Sequence, residues 1–324
     1  MAEQDSFMQQ LQSLFWKYMG SAIGQTERPH DILYHYTNLD SFMGMIDNRS
    51  IWMSKGNFLN DSGELVYIHH IARHVLELFE QHINQKYGND VELLKCRNRF
   101  MGKMRWALSK FLHEIHLDHL EVYVLSLTPN QDSLTLWYNY SGGDGYNIGF
   151  SYDKLLAEIN RLSENMGQEF SVVYGNVLYE KEKQEQTLLH SLIRSFEFLL
   201  QHRGQFDDDE MVAKLPAYFT EIITSCSIFF KHEAFKNEEE YRIAFTRRRK
   251  ANTGDGKVLF RSANGIIIPY ISIELKEKLP VRHVTIGPKN NIDIAKNGVE
   301  YYLRSRGYPL ENITVSKSVV SLRY

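Results

Sequence analysis

The sequence predicts an α+β fold in which a strand-built core carries helical insertions. Three observations predict it. Short runs with strand-like alternation gather toward both ends of the 324-residue chain. Long stretches with helical spacing lie between them, and nothing repeats at solenoid spacing.

The elements follow in order. Ser6–Met19 places Phe7, Leu11, Leu14, Phe15 and Tyr18 on one helical stripe, and Gly20–His30 reads as a linker. Asp31–Tyr36 is a strand candidate. Leu39–Asp47 reads as a short helix with Asn38 as its N-cap, since an Asn side chain can accept a backbone N–H of the first turn. Ser50–Ser54 alternates as a second strand, and Asn57–Gly63 is a polar turn. About 64–86 and 91–116 have helical periodicity and length. Glu121–Leu127 is a strand of apolar and β-branched residues, followed by a short helix over Asp132–Tyr140, a Gly142–Gly145 turn and a strand over Gly145–Ser151. Phe170–Leu178 alternates again. A second helical block covers about 180–230, interrupted by an acidic loop at Asp207–Glu210. Strands return at Tyr241–Thr246, Lys257–Arg261, Gly265–Tyr270 and His283–Ile286; a helix over Ile292–Arg306 and a strand over Ile313–Ser316 close the chain. The expected organisation is an N-terminal helix and linker over 1–30 and a single domain over 31–324, with helical insertions at about 64–118 and 180–230.

Composition narrows the function classes. Hydrophobic residues make up 43% and charged residues 24%, ordinary for a globular protein. A formal net charge of −3 lacks the positive excess of a general nucleic-acid coat or a membrane-surface protein. Cys96 and Cys226 form no C-x-x-C pair and no disulfide framework. The first twenty residues have no basic start followed by an apolar block, and no apolar run approaches the ~20 residues that cross a bilayer. A cytoplasmic protein without membrane contact is expected.

Two segments carry chemistry. FKNEEEYRIAF at Phe235–Phe245 puts Glu238 and Glu240 two residues apart at the mouth of an apolar run, and strand alternation would turn both to one face. ILYHYT at Ile32–Thr37 places a polar His35 inside a strand. A histidine and paired carboxylates on separate strands can grip a polar substrate and stabilise a developing cation, which points to an enzyme.

The same residues carry a family resemblance. YHYTNLDSFMGMIDNRSIWMSKGNFLND at Tyr34–Asp61 resembles the opening of a widespread bacterial family of unknown function: a Y-H-Y-T segment, a short helix, a strand with W-x-S and an N-D turn. VLSLT at Val124–Thr128, LWYNYSGGDGYNIGF at Leu136–Phe150, the E-x-E-[WY]-R strand start at Glu238–Arg242 and VTIGPKNN at Val284–Asn291 follow in that family's order. These elements are also similar to the ADP-ribosyltransferase superfamily, including poly-ADP-ribose polymerases and DNA-targeting toxin transferases. Those enzymes carry His or Arg on the first core strand, Ser, Thr or Tyr on the next and Glu on a late strand. That resemblance implies a split antiparallel β-sheet core and NAD as a consumed co-substrate, with no metal. It implies catalytic roles for Glu240, Glu238 and His35, and NAD contacts from His35, Tyr36, Thr37, Trp52, Ser54, Tyr140 and Arg242. The second core-strand position falls on Trp52 and Ser54 by place and on Tyr138 and Tyr140 by residue type.

Cleaving the nicotinamide–ribose bond passes through a transition state with oxocarbenium character. Glu240 is expected to bind the ribose 2′-hydroxyl and stabilise that charge, Glu238 to orient or deprotonate an acceptor, and His35 to hold the adenosine-side ribose. Tyr36, Trp52 and Tyr140 would wall the nicotinamide. No G-x-G-x-x-G follows a strand, which disfavours a recycled dinucleotide. The expected activity is an NAD-dependent ADP-ribosyltransferase or NAD glycohydrolase acting on a protein or nucleic-acid acceptor. By fold analogy this is a toxin or antiviral-defence effector restrained by a neutralising partner.

Other readings stay open. The fold could bind a nucleotide or nucleic acid without turnover, with Arg242 simply pairing with Glu240. It could serve as an interaction protein through its long helices, or as a metal-dependent nuclease using Glu238, Glu240 and His35. Lesser motifs are His70 and His74 at metal-ligand spacing without the Glu of a zinc protease, and His113, His116 and His119 at a helix end. The basic run Arg247–Lys250 stands before an NTGDG turn, and Gly142–Gly145 could approach a phosphate. Trp137 and Tyr138 read as core, and Cys226 has no local partner for thiol chemistry.

Overall fold

The computed structural model describes residues 2–25, 30–59, 63–88, 90–116, 119–166, 171–202, 208–248, 258–263, 265–290 and 292–320. The Asn60–Asp61 turn, Asp207, the last two residues of the basic run and the NTGDG turn lie outside them. The chain is mixed α+β and divides into two compact units, one spanning Met1–Glu27, Leu59–Glu121 and Gly175–Phe235, the other Arg28–Phe58, Val122–Tyr174 and Lys236–Tyr324.

The first unit gathers the N-terminal helix and both helical stretches: α1 (Ala2–Ala22), α3 (Glu64–Tyr87), α4 (Val91–His116), α7 (Lys181–Gln201) and α8 (Asp208–Phe229). α4 packs along α8, and α1 and α3 pack along α7. Its centre is aromatic. Phe100 stacks on Phe79 at 5.3 Å and meets Phe196 and Phe219 edge-on at 5.4 and 4.9 Å, the offset and T-shaped geometries that ring quadrupoles favour. The expected acidic loop is partly helix, since Asp208–Glu210 open α8.

The second unit holds two sheets. One has the order β1 (Ile32–Thr37), β4 (Tyr146–Ser151), β9 (Val281–Ile286), β10 (Thr314–Lys317). The other runs β5 (Ser171–Asn176), β6 (Tyr241–Arg248), β3 (Leu120–Leu127), β2 (Ser50–Lys55), β8 (Ile266–Glu274), β7 (Val258–Ala263). β1–β4, β4–β9, β2–β3, β2–β8 and β7–β8 pair antiparallel. The β9–β10 pair corrects the all-antiparallel expectation: it is parallel, because α9 (Ile292–Ser305) supplies the crossover a parallel pair requires.

α2 (Leu39–Asn48) begins as its sequence signals, with Asn38 accepting the Ser41 N–H at 2.8 Å, and ends at Arg49 in the left-handed conformation (φ 49°). Its buried Phe42, Met45 and Ile46 join Leu33, Ile148 and Val284 of the first sheet and Met53, Tyr123, Ile243 and Ile271 of the second in one apolar core. One helix comes without a sequence expectation. α6 (Tyr152–Met166) puts Leu155, Leu156 and Ile159 into that core at helical spacing.

Candidate functional site

β3 belongs to both halves of the strand unit. It pairs with β2 at Tyr123 and Val124, and just past its end Thr128 pairs with Tyr34 of β1 through two backbone bonds of 2.8 and 2.9 Å. Between those pairings the His35 imidazole takes the Ser126 carbonyl through Nδ1 at 2.9 Å. At this junction lies a cavity of about 340 Å³, its open mouth included, lined by Tyr34, His35, Tyr36, Ser126, Leu127, Thr128, Leu136, Tyr140, Glu238 and Glu240.

A carbonyl only accepts, so Nδ1 carries the proton and Nε2 is left as an acceptor. Burial, and secondarily the positive charge of Arg261, push His35 down from 6.5 to about 4, against the Ser126 bond, which favours the charged form. His35 is therefore neutral across the physiological range. Tyr36 donates to the Asn130 carbonyl at 2.9 Å and accepts the Ser133 N–H at 2.9 Å, which fixes its ring against Trp137. Burial raises its hydroxyl pKa above the usual range.

The carboxylates arrive by a different route from strand alternation. Glu238 ends a 3₁₀ turn (Glu233–Glu238), Glu239 adopts a left-handed φ of 45°, and β6 begins only at Tyr241. A non-glycine residue with positive φ costs about 1 kcal/mol. Its effect here is that Glu239 is exposed while both flanking side chains line the cavity, 4% and 5% accessible. Tyr140, from α5 (Leu134–Ser141), donates to Glu238 at 2.8 Å. Arg242, 1% accessible, grips both oxygens of Glu240, Nε and Nη2 each at 2.8 Å. That bidentate, charge-assisted pair is strongly directional.

The structure thus brings together His35, Tyr36, Tyr140, Glu238 and Glu240, drawn from opposite ends of the sequence. It does not bring in the rest. Arg242 is buried behind Glu240, and Thr37, though buried, does not line the cavity. Trp52 also stands outside: its indole packs on Tyr270, ring centroids 4.7 Å apart, and leaves no room for a Cβ at Gly44. The expected aromatic wall is therefore Tyr36 and Tyr140 alone. Ser54 accepts from Arg261 Nη2 at 2.9 Å. Tyr138 corrects its core reading, being 76% exposed, while Trp137 is fully buried. Sequence reasoning missed Ser126 and Thr128, whose contributions include main-chain carbonyls that side-chain patterns do not signal.

The lesser motifs resolve structurally. Cys226 is fully buried, which pushes its thiol pKa well up. His74 pairs with Glu185 at 2.8 Å. The Gly142–Gly145 turn is occupied by its own chain: Gly143 and Gly145 carbonyls accept from Lys289 and Gly287, and a Cβ on Gly145 would stand 2.3 Å from the Thr37 carbonyl. Among the described residues no group of three or more His, Cys, Asp or Glu is placed to hold a metal, and no helix is long and apolar enough to cross a membrane.

Residues 136–243 match the model of a family described as protein of unknown function (DUF2971), so the expected domain-of-unknown-function family is found over that stretch. It runs from Leu136, in the helix that carries Tyr140, through both cavity carboxylates. No curated protein and no solved structure matches the chain.

Proposed function

We propose that this protein is an NAD-consuming enzyme, an ADP-ribosyltransferase or NAD glycohydrolase, with an ADP-ribosyltransferase-like core formed by the two sheets of the strand unit. The observation that carries the reading is the convergence of a neutral histidine acceptor and two buried carboxylates on one cavity. His35 Nε2 can accept from a ribose hydroxyl. Glu240, held in one orientation by Arg242, is suited to receive the 2′-hydroxyl of the nicotinamide ribose and to face the positive charge that grows as nicotinamide leaves. Glu238, steadied by Tyr140, would direct the attacking water or acceptor. Tyr36 and Tyr140 supply aromatic surface for nicotinamide. The acceptor is proposed to be a protein or nucleic acid, and a toxin or defence role with a neutralising partner follows by analogy only.

The Glu240–Arg242 pair also favours a second reading, in which it is structural and the cavity binds a nucleotide without turnover. Nicotinamide release by the purified protein, with and without cell extract, separates the two. Wild type should consume NAD, and Glu240→Gln should slow it roughly 10²–10³-fold, as loss of one preorganised electrostatic partner does elsewhere. Label passing to protein or nucleic acid identifies a transferase; free ADP-ribose identifies a hydrolase. NAD left intact by wild type under every condition overturns the enzyme reading.

A further inference from the structure

Arg261 interrupts the apolar run VLFRSA of β7. It pairs in register with Ile268 of β8, reaches past Tyr270 and donates from Nη2 to Ser54 of β2 at 2.9 Å. Ser54 sits opposite Tyr270 in the sheet, and Tyr270 packs on Trp52. The guanidinium is half-buried, and that burial pulls its pKa down. Its positive charge reaches His35, whose imidazole lines the cavity.

Several other arginines of this chain, buried ones among them, are held by a carboxylate. Arg97 pairs with Glu80, Arg161 with Glu158, Arg242 with Glu240 and Arg306 with Asp47. Arg261 has no carboxylate within ion-pair distance among the described residues, only the Ser54 hydroxyl. Partial desolvation of a cation without a counter-ion is unfavourable. A hydroxyl occupies one donor of a planar fork that otherwise matches the oxygens of a phosphate.

The strand register points the same way. Ser54, which Arg261 holds, pairs with Val124 of β3, and Ser126, two residues on along that strand, is the residue whose carbonyl holds His35 at the cavity.

We propose that Arg261, braced by Ser54, binds a phosphate group of the nucleotide whose reacting end occupies the cavity at His35, Glu238 and Glu240. This deepens the NAD reading and rests on it for the ligand's identity; the anion site itself rests on Arg261.

Calorimetric titration of the full-length protein with ADP, inorganic pyrophosphate and adenosine tests it without requiring turnover. Wild type should bind ADP at least about tenfold more tightly than adenosine, one to two charge-assisted hydrogen bonds being of that size. It should also bind pyrophosphate. Arg261→Gln should bring ADP to the adenosine level, abolish pyrophosphate binding and leave adenosine unchanged. Arg261→Lys, which keeps the charge but loses the fork, should fall between and guards against a folding defect in the glutamine variant. Equal ADP binding by wild type and Arg261→Gln, or no preference of wild type for ADP over adenosine, overturns the proposal. NAD turnover with no Arg261-dependent phosphate preference removes this inference and leaves the enzyme reading standing. An Arg261-dependent preference with NAD untouched does the reverse.

Discussion

The two units differ in how they satisfy most of their buried hydroxyls and the charged groups at the cavity. In the helical unit the buried hydroxyls of Thr187, Ser191, Ser195, Thr220 and Thr224 each donate to the carbonyl four residues back, and Ser227 to the one three back. Each finds a partner within its own helix, although Ser195 also bonds the Tyr218 hydroxyl of α8 and the buried Gln184 amide reaches the Leu178 and Lys231 carbonyls. The strand unit gathers ionisable groups around one cavity, two of them joined across long sequence separations, His35 to Ser126 and Tyr140 to Glu238, with the Glu240–Arg242 ion pair in the wall. A polar group satisfied by its own helix asks nothing of the fold. A charge that is stable only when distant segments meet makes the fold answerable for its geometry, and that is the condition for a site.

If this contrast is right, the largest effect follows from breaking the ion pair. Arg242→Met leaves the Glu240 carboxylate buried without its main partner and should cost about 3–5 kcal/mol. The double variant Arg242→Met/Glu240→Gln should recover much of that loss, because the charge needing compensation is gone. Urea-unfolding midpoints and slopes measure both. If the double variant is no more stable than Arg242→Met, the two residues act independently and the contrast fails at its strongest point.

Much of this was legible in the sequence, and what was not has identifiable causes. Asn38 announces α2 through cap chemistry that needs only local contacts, and the ILYHYT and YRIAF runs announce β1 and β6. Glu238 and Glu240 are both readable as site residues, but their common orientation is not, since it depends on the left-handed turn at Glu239 rather than on alternation. Trp52 misleads because its sequence place suits a ligand wall, whereas its register opposite Ser272 and the absence of a Cβ at Gly44 give it a packing role. Arg261 is invisible for a related reason. Only the β2–β8–β7 register brings it to Ser54, 207 residues away, and no local pattern encodes that distance.

A middling effect should come from pH. His35 has an ordinary value of 6.5 and a native value of about 4. Between those values the unfolded chain takes up a proton that the folded state refuses. The stabilisation is therefore complete above about pH 6.5 and is lost as pH falls toward 4, roughly 1–3 kcal/mol in all. Burial also depresses His283, so the clean observable is a difference: between pH 7 and 4, wild type should lose that much more stability than His35→Asn. Should the two decline in parallel, His35 is not the half-buried neutral base that the cavity geometry describes. The same logic predicts no inflection from His35 near pH 6.5 in NAD turnover.

The smallest effect belongs to the helical unit, and its smallness is the point. Thr224→Val replaces a back-bonding hydroxyl by a methyl group of nearly the same size at a site 8% accessible. The hydroxyl supplements an α-helical carbonyl, and such back-bonding slightly opposes ideal helix geometry. The change should shift stability by no more than about 0.5 kcal/mol in either direction, because donor and desolvation cost leave together. Thermal or urea unfolding resolves a shift of this size when the variants are run side by side. A loss of several kcal/mol would show that this hydroxyl serves a partner beyond its own helix. The back-bonded hydroxyls of the helical unit would then answer to the fold on the same terms as the cavity groups of the strand unit, and the difference between them would no longer mark where the chemistry lies.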